Sequence, residues 1–152
     1  MDQNKMELHT ASEAISFARK LENESANFYQ DLSQRYAQNE DVFLSFAKEN
    51  EKNMTNIERA YYGVITDAIE GCFAFDINPD EYTFKTELAE KASYSDALDK
   101  AVEIEEKVIN FYSTAAEQSK SYMADVPRAF TMVAKKRDNR RAKLRSLLGK
   151  GA

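Results

Sequence analysis

The sequence predicts an all-α protein built from four long helices. Three observations carry that prediction. Glycine and proline number only 4 and 2 in 152 residues, apolar residues recur at three- and four-residue spacing through four stretches, and the second half of the chain repeats the first. So few backbone breakers leave little room for the many turns of an all-β fold. A content of 43 % hydrophobic and 31 % charged residues describes a chain with a core to bury rather than a disordered one. At this length one domain is expected.

Residues 1–10 are polar and are expected to be a flexible end. Thr10 and Glu13 then form the T-x-x-E pattern of a capping box at a helix start. Ala11, Ala14, Ile15, Ala18, Leu21, Ser25, Phe28, Leu32 and Tyr36 follow on one helical face, so the first helix is predicted over 11–37. Asn39 reads as the cap of a second helix, whose inner face carries Phe43, Phe46, Ala47, Met54, Ile57, Tyr61, Val64, Ile65 and Ala68. Gly71 would close it in a left-handed cap. The short connection between these two helices makes them antiparallel neighbours.

Residues 71–96 are expected to be a long crossover, with a turn at Asn78-Pro79-Asp80 and a short helix over 82–92. Ser95 reads as the cap of the third long helix, which presents Leu98, Ala101, Ile104, Val108, Phe111, Ala115 and Tyr122. Asp125 and Pro127 have the character of a cap and first turn for the fourth. That helix shows Phe130, Val133, Ala134, Leu144, Leu147 and Leu148, and ends at Gly149. The domain thus spans 11–148, followed by a tail over 149–152.

The repeat is legible residue by residue. A shift of 83 carries Ala14 onto Ala97, Glu22 onto Glu105 and Asn27-Phe28-Tyr29 onto Asn110-Phe111-Tyr112. A shift of 87 carries Phe43 onto Phe130, Phe46 onto Val133, Ala47 onto Ala134 and Ile57 onto Leu144. Two like hairpins joined by a crossover predict a four-helix bundle with internal two-fold pseudo-symmetry.

Six polar residues interrupt the inward stripes. Glu22 lies in line with Ile15, Ala18, Ser25 and Tyr29, and Glu105 with Leu98, Ala101, Val108 and Tyr112. Asn50 and Asn53 fall between Ala47 and Ile57, and Arg137 and Arg140 between Ala134 and Leu144. All six are expected at one depth, facing one another. A buried carboxylate needs a cation or several donors, because its desolvation costs several kcal/mol. A register shift of one residue on the second helix would instead turn Glu49 or Glu51 inward.

This arrangement resembles the ferritin-like superfamily, in particular the rubrerythrin-like di-iron bundles. In that family two helices each supply one inward Glu and two others each supply Glu-x-x-His. The resemblance extends over roughly residues 11–148. It includes a Tyr seven residues after each lone Glu, as Glu22 with Tyr29 and Glu105 with Tyr112, and the frames Phe43-x-x-Phe46-Ala47 and Phe130-x-x-Val133-Ala134. It implies a ferritin-like bundle and an iron-dependent oxidoreductase or peroxide-protection role. The departures fall on the metal ligands themselves. Asn50-x-x-Asn53 and Arg137-x-x-Arg140 stand where Glu-x-x-His would be, and the single histidine, His9, precedes the first helix. The cysteine pairs that follow the bundle in full-length rubrerythrin are absent as well.

Charge arithmetic then sets the expectation. Glu22 and Glu105 bring −2, Arg137 and Arg140 bring +2, and the shell is neutral without metal. Arginine stays protonated and does not ligate iron, whereas its fork suits carboxylates. The sequence is therefore expected to encode a bundle without cofactor, its centre an arginine–glutamate network closed by the Asn50 and Asn53 amides. Tyr29 and Tyr112 would bond the glutamates. The expected role is a non-redox interaction module acting as a homodimer. The alternative keeps iron on the remnant ligands Glu22 and Glu105, with Glu49 or Glu51 as a third carboxylate.

Other chemistry is thinly represented. Net charge is −5, and the basic run Lys135–Arg145 lacks interleaved aromatics, so neither nucleic acid nor an anionic membrane is an expected partner. That run reads as a solvated face near a helix C-terminus. No stretch approaches a membrane span and residues 1–10 lack a signal-peptide core, which leads to a cytoplasmic expectation. The lone Cys72 permits no internal disulfide and reads as a small buried residue. Tyr61, Tyr62, Phe73 and Phe75 would pack under the crossover, or form a dimer patch or a pocket for an unknown ligand. A hydrolytic pair of Glu22 and Glu105 would lack a general acid, because the arginines depress both carboxyls.

Overall fold

The chain carries four long helices and a small antiparallel sheet in a computed structural model that describes residues 7–64, 73–120 and 125–149. In order these are β1 (Leu8–Thr10), α1 (Ala11–Arg35), α2 (Glu40–Val64), β2 (Phe73–Ile77), α3 (Tyr94–Ser119) and α4 (Val126–Gly149), with a 3₁₀ turn at Pro79–Glu81. Gly71, Cys72, Ile65, Ala68, Tyr122, the side chains of Val64 and Phe73, and the tail beyond Gly149 lie outside the described residues.

Helix α1 begins where Thr10 and Glu13 close their reciprocal box: the Thr10 hydroxyl accepts from the Glu13 amide and the Glu13 carboxylate accepts from the Thr10 amide. Helices α1 and α2 run antiparallel, since Arg19 meets Glu58, Ser25 meets Asn50 and Tyr29 meets Phe46. Helices α3 and α4 pair in the same sense, with Glu105 against Arg137 and Tyr112 against Phe130. Contact is dense within each pair, moderate between α2 and α4, and light between α1 and α3. The core between them is aromatic: Phe17 meets Phe111 edge-on at 5.1 Å, and Tyr29, Phe43, Tyr112 and Phe130 are fully buried.

Three local expectations are corrected. The residues just before α1 are not free, because Leu8 is buried and β1 pairs with β2 in a register of Leu8 with Ile77 and Thr10 with Phe73. Leu8 shares the core with Phe75 and Ile77, and that burial outweighs the polarity of its neighbours. The helix predicted over 82–92 does not form. Three of its carbonyls are taken by side chains at the end of α1: Arg35 donates to Ala89 and Glu90, and Tyr36, just past the helix, to Ala92 at 2.7 Å. A chain whose acceptors are claimed from outside gains little by coiling.

The third correction concerns caps. Ser93, not Ser95, caps α3: its hydroxyl accepts from the Asp96 amide at 3.0 Å and the Asp96 carboxylate accepts from the Ser93 amide at 3.1 Å. Asn39 precedes α2 in the left-handed region, at φ 61°. Its carbonyl accepts from the Val42 and Phe43 amides, while its side-chain amide donates to the Tyr94 hydroxyl at 2.7 Å. Asn39 thus stands at the N-cap position of α2 through its carbonyl, while its side chain joins the start of α2 to the start of α3. Ser93→Ala is expected to cost about 1 kcal/mol and Ser95→Ala only a few tenths, measured by urea unfolding. Equal losses would mean the cap is misassigned.

Candidate functional site

Each long helix delivers polar side chains to one buried layer. Glu22 comes from α1, Asn50 and Asn53 from α2, Glu105 from α3, and Arg137 and Arg140 from α4, and none is more than 2 % exposed. They occupy positions that the helical period assigns to the core, one or two turns from Ala18, Ala47, Ala101 and Val133. The register of α2 is the one that buries the asparagines. Glu51 is exposed, and Glu49 is only partly buried.

Arg137 is the hub. Its Nη2 donates to Glu22 Oε1 at 2.8 Å and to Asn50 Oδ1 at 3.2 Å. Its Nη1 straddles Glu105, at 2.9 Å from Oε1 and 2.8 Å from Oε2, and reaches Ser25 Oγ at 3.1 Å. One guanidinium thereby touches α1, α2 and α3 from α4. Arg140 lies one turn further along. It is 3.5 Å from Glu105 Oε2, donates to the Phe46 carbonyl and to Glu49 Oε1 at 2.8 Å, and lies over the rings of Phe46 and Tyr29 at 4.7 and 5.2 Å.

The tyrosines bond across the repeat. Tyr29 follows Glu22 in sequence but donates to Glu105 Oε2, and Tyr112 follows Glu105 but donates to Glu22 Oε2, both at 2.6 Å. Asn50 donates to the Glu22 carbonyl and to Ser25 Oγ at 2.9 Å. Asn53 does not join them: although fully buried, neither of its amide atoms has a hydrogen-bond partner among the described residues. The expected closure by both asparagine amides is corrected to closure by Asn50 alone.

Sequence reasoning gave Ser25 no polar role, since serine at a core position reads as a small spacer. Glu49 also enters from outside the inward stripe. Its reach to Arg140 follows from the length of both side chains rather than from helical phase.

The electrostatics follow from burial and contact. Burial pushes the Glu105 carboxyl up, but the guanidinium groups of Arg137 and Arg140 and the Tyr29 hydroxyl outweigh it and hold Glu105 below the usual carboxylate value. Burial likewise works against charge on Arg137, and the Glu105 and Glu22 carboxylates overcome it, raising Arg137 well above its ordinary value. Tyr29 and Tyr112 are both raised well above the usual phenol value, by burial first and then by the carboxylates they face. Near neutrality the centre therefore holds Glu105 as a carboxylate, Arg137 as a cation, and Tyr29 and Tyr112 as phenols.

The same geometry tests the metal ligands. All four carboxylate oxygens of Glu22 and Glu105 already accept from Arg137 or a tyrosine, and a guanidinium occupies the place between the two carboxylates. Arginine cannot be deprotonated to ligate, and at low dielectric it repels a dication strongly. Among the described residues no group of three or more His, Cys, Asp and Glu side chains could hold a metal ion. His9 sits by the sheet, its Nδ1 3.3 Å from the Phe75 carbonyl. The residues present do not fit a di-iron centre.

The remaining candidates lie on the periphery. In the basic run of α4, Arg145 pairs with Glu106 at 2.8 Å, Arg141 reaches Asp138 and Glu106, and Lys135 and Lys143 are exposed. Tyr61 is buried and Tyr62 is 64 % exposed, their rings 5.3 Å apart. Among the described residues no helix is long and apolar enough to cross a membrane. Comparison with protein-family models, with curated proteins and with solved structures finds no match to this chain.

Two outcomes follow from the centre. Glu105→Ala leaves buried cations unpaired and is expected to cost about 3–5 kcal/mol in chemical unfolding; a loss below about 0.5 kcal/mol would mean that the carboxylate is solvated. The pH dependence has a definite sign. Since Glu105 titrates lower folded than unfolded, its contribution is full above the ordinary carboxylate pKa of about 4.3 and is lost as pH falls through the folded value. Tyr29 and Tyr112 titrate higher folded than unfolded, so their contribution is full below about 10 and is lost at higher pH. In a tyrosinate absorbance titration, Tyr29→Phe and Tyr112→Phe should each remove amplitude only from the step that accompanies alkaline unfolding.

Proposed function

We propose that this protein is a ferritin-like four-helix bundle of the rubrerythrin type, two helical hairpins joined by a crossover, in which an arginine–glutamate clamp stands in place of a di-iron centre. On this reading it is a non-redox binding or interaction module. The observation that carries the proposal is Arg137, whose two terminal nitrogens reach Glu22 and Glu105 at 2.8 Å each from a fully buried position. The internal repeat supports it further, since Glu22 and Glu105 are repeat mates, as are Asn50 with Arg137 and Asn53 with Arg140.

Closure of the centre leaves recognition to the surface. With two buried acids balanced by two buried arginines, the layer has no net charge for a metal to offset. An iron enzyme built on Glu22 and Glu105 would first have to expel Arg137, and no contact in the site favours that step.

Protein produced in iron-rich medium is expected to carry far less than stoichiometric iron, with unfolding unchanged by added iron or chelator. Near-stoichiometric iron inside the bundle would overturn the proposal. The reciprocal experiment restores the family pattern with Asn50→Glu, Asn53→His, Arg137→Glu and Arg140→His. That variant, once folded, is expected to bind iron, and failure to do so would count against the alignment with the di-iron bundles.

A further inference from the structure

We propose that the Asn53 side of the centre is a buried water site, the counterpart of the seat that the Arg140 guanidinium fills on the other side. The shift of 87 that relates α2 to α4 carries Asn53 onto Arg140, Phe46 onto Val133 and Glu49 onto Lys136. On the Arg140 side a long guanidinium lies over Phe46 and Tyr29 and bonds Glu105, Glu49 and the Phe46 carbonyl. On the other side the corresponding residues are shorter: Asn53 in place of Arg140 and Val133 in place of Phe46. The buried acid and its tyrosine, Glu22 and Tyr112, are retained.

The second observation is the amide itself. Asn53 is 0 % exposed, and both its Nδ2 and its Oδ1 lack partners among the described residues. The Nε atoms of Arg137 and Arg140 are likewise buried donors without partners. Orphaned polar groups of this kind are rare in folded proteins, because each forfeits its hydration without return.

The chemistry of the site selects water. An amide presents donors and an acceptor together, and water answers both. A charged guest is disfavoured because the two acids and two arginines of the layer already balance. Buried waters typically bond two to four polar groups of this sort.

The test is a high-resolution crystal structure of the wild-type protein together with water-to-amide cross-relaxation by NMR. Ordered density within hydrogen-bond distance of Asn53 Nδ2 or Oδ1 is expected, along with transfer from a long-lived water to the Asn53 side-chain amide. Asn53→Leu, similar in volume and unable to bond water, should abolish both while Arg137 keeps its hold on Glu22 and Glu105. A dry Asn53 bonded only to protein groups would overturn the inference, as would identical water density in the leucine variant. The wild-type measurement decides the matter even if the variant does not fold. Iron found on the glutamates beside a water at Asn53 would end the functional proposal and leave this one standing.

Discussion

The structure turns on one buried guanidinium. Arg137 is fixed on α4, yet its fork reaches a carboxylate on α1, an amide on α2 and a carboxylate on α3. The two hairpins have little else in common between α1 and α3, where contact is light. Burying two acids and two arginines carries a desolvation penalty of several kcal/mol per ion, which hydrocarbon of the same volume would avoid. A slip by one turn of any helix would part a buried charge from its partners.

The duplicated sequence does not produce a duplicated centre. Glu105 receives both arginines and the Tyr29 hydroxyl, whereas Glu22 receives one arginine and Tyr112. The inequality arises on α2 and α4, where the repeat mates are asparagine and arginine. Arg140 also carries the network outward to the partly buried Glu49, a link with no equivalent at Lys136 among the described residues. The tyrosines bond the opposite half from the one that encodes them, so each hairpin supplies the hydroxyl that steadies the other's acid. Glu22 is bonded through its carboxylate only by the other hairpin, whereas Glu105 is gripped by the arginines of its own hairpin and by Tyr29 from the other.

The crossover shows the same dependence on distant groups. After the turn at Pro79–Glu81 it runs without regular structure to the Ser93 cap, held by Arg35, Tyr36 and Lys107 through its carbonyls. β1 and β2 close one end of the molecule, with Leu8, Phe75 and Ile77 extending the core beneath them. These contacts give a long connection a defined path without a helix of its own.

The sequence by itself determined the helices, because a period of 3.6 and scarce glycine and proline act within a few residues of one another. The stripes through Ala18, Ala47, Ala101 and Val133 also told which polar side chains face inward, and Thr10 with Glu13 announced the start of α1. Partnership was another matter. That Tyr29 bonds Glu105, that Ser25 and Glu49 reach arginines and that Asn53 bonds none of them are facts of inter-helix distance, which periodicity does not encode. The tertiary structure also overruled local preference at residues 82–92 and at Leu8. There, acceptors captured by other helices and burial against β2 outweighed what the nearest neighbours in sequence would have chosen.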